Sequence, residues 1–93
     1  MSDKSVHVRI EGRVQRVWFR AWTVEQAQAA GLRGWVRNRH DGTVEAVFSG
    51  PAEAVDQMLQ ACHKGPPKAS VSAVKVEPTD ALAGTGFLQL PDA

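Results

Sequence analysis

The sequence holds one cysteine, Cys62, and no tyrosine. A lone thiol cannot close an internal disulfide, and it rules out a zinc site built on several thiolates. A reducing, cytoplasmic setting is therefore expected. No run of apolar residues is longer than three, which leaves nothing to span a membrane as a helix. Residues 1–10 alternate polar and apolar without an apolar stretch, so no secretory signal is expected. An excess of one charge is also missing: 11 basic residues face 10 acidic ones, for a net charge of +1. What is present, 43% apolar and 23% charged residues in a chain of 93, is the composition of one small globular domain. Residues 1–93 are read as that domain, without repeat or linker. At this size its core must hold by burial alone.

The charge is unevenly spread. All seven arginines lie between Arg9 and Arg39, while the four lysines are scattered. Arginine presents a planar fork that suits phosphate and carboxylate. The cluster points to a local anion site rather than a nucleic-acid stripe, with a set of solvated strand-edge arginines as the plain alternative.

Val6, Val8 and Ile10 share one parity, and His7 and Arg9 the other, so Val6–Ile10 reads as a half-buried strand. Gly12 to Arg20 form a connection. From Ala21 to Ala30 the spacing of Ala21, Val24, Ala27 and Gln28 predicts a helix, with Gly31 in the left-handed position behind it. Gly34–His40 and Thr43–Phe48 flank Asp41-Gly42, which predicts a hairpin with a type I′ turn. Gly50-Pro51 opens a second helix, with proline in its first turn and Val55, Met58, Leu59 and Cys62 as its apolar stripe; Gly65-Pro66-Pro67 stops it. Ser70–Glu77 is a strand whose parity changes, so a bend is expected near Ser72. Pro78 to Gly86 read as loop, and Phe87 to Leu90 as a short strand at an edge. The order βαββαβ plus a short final strand predicts a ferredoxin-like α/β sandwich of the α+β class, an antiparallel sheet with two helices on one face.

The connection before the first helix carries the chemistry. It is too long for a turn and leads into a helix N-terminus, where unpaired N–H groups and the helix dipole favour an anion. A folded loop there can present several N–H groups as a nest, and Arg20 can add a bidentate clamp. The Gly-Lys-Ser/Thr ending of a Walker loop is absent.

Residues 12–20 resemble the acylphosphatase pattern Gly-x-Val-Gln-Gly-Val-x-Phe-Arg: Gly12, Val14, Gln15, Val17, Phe19 and Arg20 match it. A second block, Gly34 to Glu45, is similar to the family's Gly-Trp-Val-x-Asn-x-x-Asp-Gly-x-Val-Glu, and Gly65-Pro66 and Val71 fit a weaker third block. The resemblance runs from Val6 to about Leu90. Arg16 departs from it, standing where the family has glycine. If that position needs φ > 0, arginine there costs about 1–2 kcal/mol. Its side chain then either points outward or adds a second positive charge near the anion.

The resemblance implies hydrolysis of the carboxyl–phosphate bond of acyl phosphates to carboxylate and inorganic phosphate. It implies that Arg20 binds the phosphoryl group with the backbone of Gln15, Arg16, Val17, Trp18 and Phe19, and that Asn38 positions the attacking water. No metal and no organic cofactor are expected. The small-molecule substrate and phosphate are the expected partners, with no nucleic acid and no membrane, and a monomer is the default. Strand parity adds a geometric expectation: Asn38 shares the face of Val36, which would bring it beneath the start of the first helix, beside Arg20.

The other candidates read more simply. His40 abuts the turn, His7 and His63 are too dispersed for a metal site, and Cys62 is inert core. Trp18, Trp22 and Trp35 pack around the loop and first helix, unless Trp18 shapes substrate access. Gln15 either orients the loop through its side chain or serves by backbone alone. Arg13, Arg37 and Arg39 are solvent-facing charges. Two competing functions are a non-catalytic anion-binding domain, in which Arg16 spoils the loop, and an RNA-binding module. The latter needs aromatics on the outward strand positions, and none is expected among His7, Arg9, Thr43, Glu45 and Val47. An acylphosphatase-like module of a larger carbamoyl-transferring protein is disfavoured by the missing zinc-finger cysteines.

Overall fold

The computed structural model describes residues 3–80 and 84–93. Seven elements follow one another: β1 (Asp3–Arg13), α1 (Phe19–Ala29), β2 (Arg33–Asn38), β3 (Val44–Pro51), α2 (Ala52–Lys64), β4 (Ser70–Pro78) and β5 (Phe87–Gln89). The strands form one sheet in the order β4-β1-β3-β2-β5. This is the ferredoxin-like α+β arrangement that the element order predicts. Part of the expected 78–86 loop, residues 81–83, lies outside the described residues. No helix among the described residues is long and apolar enough to cross a membrane.

The sheet departs from the expectation of an antiparallel one. Three pairings are antiparallel, but β5 runs parallel to β2. The alternating strand directions require this. The end of β4 and the start of β5 lie at the same end of the sheet. The eight residues between them reach about 27 Å when extended, against about 19 Å for four strand spacings.

One face of the sheet is apolar and carries both helices, α1 against β2 and β5, and α2 against β1, β3 and β4. Val6, Val8 and Ile10 meet Val36, Val44, Ala46 and Phe48 there, beneath Phe19, Ala27, Val55, Met58 and Cys62. Phe48 and Phe87 stack with their centroids 5.5 Å apart. Burial pushes the Cys62 thiol up to about 12, so it stays protonated and inert, as expected.

Helix α1 starts at Phe19, two residues before the expected Ala21. Its buried face is Phe19, Thr23 and Ala27 at i, i+4 and i+8. Ala21 and Gln28 are exposed. Phe19 offers far more apolar surface than alanine and turns the helix accordingly. The helix ends in a Schellman motif: Leu32 N–H donates to Ala27 O at 2.9 Å and Gly31 N–H to Gln28 O at 3.1 Å. In α2, Pro51 is the capping residue rather than part of the first turn, while Val55, Met58 and Cys62 are buried as expected and Leu59 is half-buried.

The hairpin is not type I′. Only Gly42 has positive φ (91°); Asp41 does not. Gly42 N–H donates to Arg39 O at 3.1 Å and Arg39 N–H to Thr43 O at 2.9 Å, a three-residue loop with glycine in the left-handed position. The Asp41 carboxylate explains the choice. Its Oδ1 accepts from the Thr43 N–H (3.0 Å) and hydroxyl (2.7 Å), an Asx turn across the loop. Those bonds also hold the Asp41 pKa below its ordinary value.

The bend expected at Ser72 is a β-bulge. Glu11 pairs with Ala73 and Gly12 with Val71, which leaves Ser72 extra. Gly12 (φ 120°) makes room for it: a Cβ there would stand 2.3 Å from Ser70 O and 2.7 Å from Ser72 N. The bulge lies just before the loop that enters α1.

Candidate active site

The chain between β1 and α1 is built on alternation. Val14 and Val17 are buried and anchor the loop; Arg16 and Trp18 between and after them are exposed. Arg16 (φ 62°) and Trp18 (φ 67°) are the two non-glycine residues with left-handed backbone among those described. Left-handed residues alternating with ordinary ones turn successive N–H groups toward one concavity. No N–H from Arg16 to Arg20 meets a backbone acceptor among the described residues. The first turn of α1 contains no acidic residue and Trp18 supplies no side-chain cap, so the positive end of the helix dipole is uncompensated from within.

Arg20 and Asn38 come to this same point. Together with Arg16, Trp18, Phe19 and Gln89 they line an open cleft of about 420 Å³. The Arg20 side chain is half-buried, and its Nη1 donates to Asp92 Oδ1 at 3.0 Å. Asp92 is held there because the C-terminal residues extend β5 along β2. Leu90 N–H donates to Val36 O, Ala93 N–H to Asn38 O, and His40 N–H to Ala93 O. Asn38 is 7% exposed, on the same face as Val36 as its parity predicts, and its carboxamide oxygen is buried with no hydrogen-bond partner. A buried carbonyl oxygen without a donor is costly, and it is ready to take one from a bound water. Among the described residues no group of three His, Cys, Asp or Glu side chains could hold a metal ion.

The acylphosphatase family model matches residues 6–88. The chain is 57% identical to the acylphosphatase of Rhodospirillum rubrum, over 95% of its own length and 97% of that protein's. It is 48% identical to that of Haloarcula marismortui, over 94% and 96%. The solved structure of an acylphosphatase from Coxiella burnetii superposes with a TM-score of 0.91 at 32% identity, covering 95% of this chain and 93% of that one. The chain belongs to the acylphosphatase family. Arg16, which stands where the family pattern has glycine, has left-handed backbone at φ 62°.

Of the other residues expected in the loop, Gln15 and Val17 do not line the cleft. Val17 is buried beneath the loop. Gln15 works through its side chain: Nε2 donates to Arg39 O (2.7 Å) and Thr43 O (2.9 Å), tying the loop to the hairpin that ends β2. Trp22 packs edge-on against Phe19 with centroids 5.3 Å apart, as expected near the first helix. Trp18 does not pack; it is 78% exposed at the cleft. Asp92 and Gln89 also reach the site, and nothing in the sequence pattern marks them.

Trp35 does not pack around the loop and first helix: its side chain lies on the open face of the sheet, which therefore carries an aromatic residue, and Arg37 and Arg39 face the same way but are paired rather than free. The Arg37 guanidinium sits 4.9 Å from the Trp35 ring centroid, and His7 meets the same ring edge-on. Both arginines pair with Glu45, through Arg37 Nε at 2.7 Å and Arg39 Nη1 at 3.0 Å, and His7 Nε2 takes the other carboxylate oxygen. Glu45 is 5% exposed. Burial alone would raise its pKa, but the hydrogen bonds from His7, Arg37 and Arg39 outweigh it and hold the pKa at about 2. This cluster grips residues 37 and 39 from behind and so fixes the strand that presents Asn38.

Proposed function

We propose that this cleft hydrolyses the carboxyl–phosphate bond of acyl phosphates, with Arg20 and Asn38 as its catalytic residues. The observation that carries the assignment is the meeting of a half-buried arginine and a buried, partnerless carboxamide oxygen at one helix N-terminus.

The phosphoryl group sits against the unbonded N–H groups of the loop before α1, and Arg20 exchanges the Asp92 carboxylate for it. Negative charge on the phosphoryl oxygens spreads in the loose transition state, where preset N–H donors and a permanent cation hold it best. The Asn38 carboxamide oxygen accepts one hydrogen of a water and aims its lone pair at phosphorus, opposite the leaving oxygen. A P–O bond to water forms as the P–O bond to the acyl group breaks. The bonding pair leaves with the carboxylate, whose acid has a pKa near ~4, so no general acid is needed. Asn38 cannot take a proton, and the water proton passes to the phosphate itself. Arg20 keeps its charge at every working pH.

In this reading residues 1–93 act as one domain and as a monomer, in the cytoplasm, without a metal or other cofactor. The single cysteine, Cys62, supports the reading of a reducing compartment.

The test is hydrolysis of acetyl phosphate in ¹⁸O-water with excess chelator. Turnover should persist, and the label should enter inorganic phosphate. Label in acetate would place the attack at the carbonyl carbon and overturn the assignment of Asn38; loss of activity on chelation would overturn the metal-free mechanism.

A further inference from the structure

We propose that Trp18 selects the acyl group, its indole forming the platform on which an aromatic or extended apolar acyl chain rests while the phosphoryl group occupies the loop. This rests on the acyl phosphate reading above and adds a substrate class to it.

Trp18 is 78% exposed, beside two buried neighbours, Val17 and Phe19. Their burial fixes the loop and forces the side chain between them outward, at the cleft. The indole makes none of the aromatic pairings found among the described residues. Its backbone is left-handed, φ 67° and ψ 20°, an outlying conformation for a bulky aromatic. A large apolar ring held in a strained conformation, in water, at the lip of a reactive cleft contributes nothing to the core. It is placed to meet something that enters.

The cleft mixes polar and apolar residues in its lining: Arg16, Arg20, Asn38 and Gln89 are polar, and of its two aromatic rings Phe19 is buried while Trp18 is exposed. Its volume of about 420 Å³ falls in the ~300–1,000 Å³ range of sites for organic ligands. In-line attack puts the leaving carboxylate on the far side of phosphorus from the Asn38 water. The acyl chain therefore extends away from Asn38 and out through the cleft, where the exposed indole is the large apolar surface on offer.

The experiment compares kcat/KM for benzoyl phosphate and acetyl phosphate in the natural protein, in Trp18→Asn and in Trp18→Phe. Asparagine tolerates left-handed backbone and removes the ring; phenylalanine keeps a ring. Trp18 buries little, so both variants should fold, and the ratio of the two substrates divides out any common change in the phosphate seat. The benzoyl-to-acetyl ratio should fall about 3- to 10-fold in Trp18→Asn, the scale of one aromatic contact, mainly through KM for benzoyl phosphate. It should largely return in Trp18→Phe. An unchanged ratio in Trp18→Asn, or a ratio that stays low in Trp18→Phe, overturns the platform. If the natural protein turns over neither substrate, the acyl phosphate reading fails first and the platform with it.

Discussion

Replacing Glu45 with glutamine should destabilise the protein by an amount that depends on pH in a defined way. In the folded protein the carboxyl titrates at about 2, against an ordinary value of 4.5. A group whose folded pKa is depressed adds stability above its unfolded pKa and loses it as pH falls through the folded value. The difference of 2.5 pH units at 1.36 kcal/mol each gives about 3 kcal/mol above pH 5.5. Roughly half should be gone near pH 3.3 and nearly all at pH 2. Glu45→Gln lacks this term at every pH, while acid effects from Asp41 are common to both proteins and cancel. Urea unfolding followed by tryptophan fluorescence at pH 7, 4.5, 3.3 and 2.5 measures the gap, which should close on acidification. A gap that is constant from pH 7 to 2.5 would show that Glu45 acts through packing alone. A gap that widens would reverse the sign and refute the ion-pair account of the cluster.

Three further outcomes concern the loop and the strand that leads into it. Arg16→Gly should relieve about 1–2 kcal/mol of left-handed strain and give back about 0.5–1 kcal/mol through a more flexible unfolded chain. The net is a gain of about 0.5–1 kcal/mol in urea unfolding, while inhibition by inorganic phosphate weakens about 2- to 5-fold for want of one exposed charge. Gln15→Leu removes both hydrogen bonds from the loop to the β2–β3 hairpin. It should cost about 1–3 kcal/mol, and steady-state kinetics should show kcat falling further than phosphate affinity, since the loop then shifts relative to Asn38. Gly12→Ala places a Cβ against Ser70 O and Ser72 N and should cost about 2–4 kcal/mol in the same unfolding assay.

The elements that sequence made legible are those held by local rules. The alternation of Val6, Val8 and Ile10 names a strand because one face must be buried, and the same parity puts Asn38 on the face of Val36. Ala30-Gly31-Leu32 ends a helix because Gly31 can close the Schellman bonds. The change of parity at Val71 and Val74 marks a bend near Ser72, which the structure makes as a bulge. Elsewhere the deciding contact is distant or conformational. The hairpin type turns on a bond from Asp41 to Thr43 that the Asp-Gly pair does not disclose. The parallel direction of β5 comes from which end of the sheet β4 leaves, and a three-residue strand carries no mark of it. The start of α1 depends on left-handed Arg16 and Trp18, which no propensity favours. Trp35 has the opposite parity to Val36, so its place on the open face was readable. Its cluster with His7, Arg37 and Glu45 needed the strand register. Asp92 offers no local signal, because it reaches Arg20 through the alignment of the C-terminal residues with β2.

The most direct measurement is inorganic phosphate binding, by calorimetry, set beside kcat for acetyl phosphate in Arg20→Gln and Asn38→Ala. If Arg20 clamps the phosphoryl group and Asn38 aims the water, Arg20→Gln should lose both binding and turnover. Asn38→Ala should then bind phosphate within a few-fold of the natural protein while kcat falls about 100-fold or more. Natural phosphate affinity in Arg20→Gln, or natural kcat in Asn38→Ala, would contradict the account.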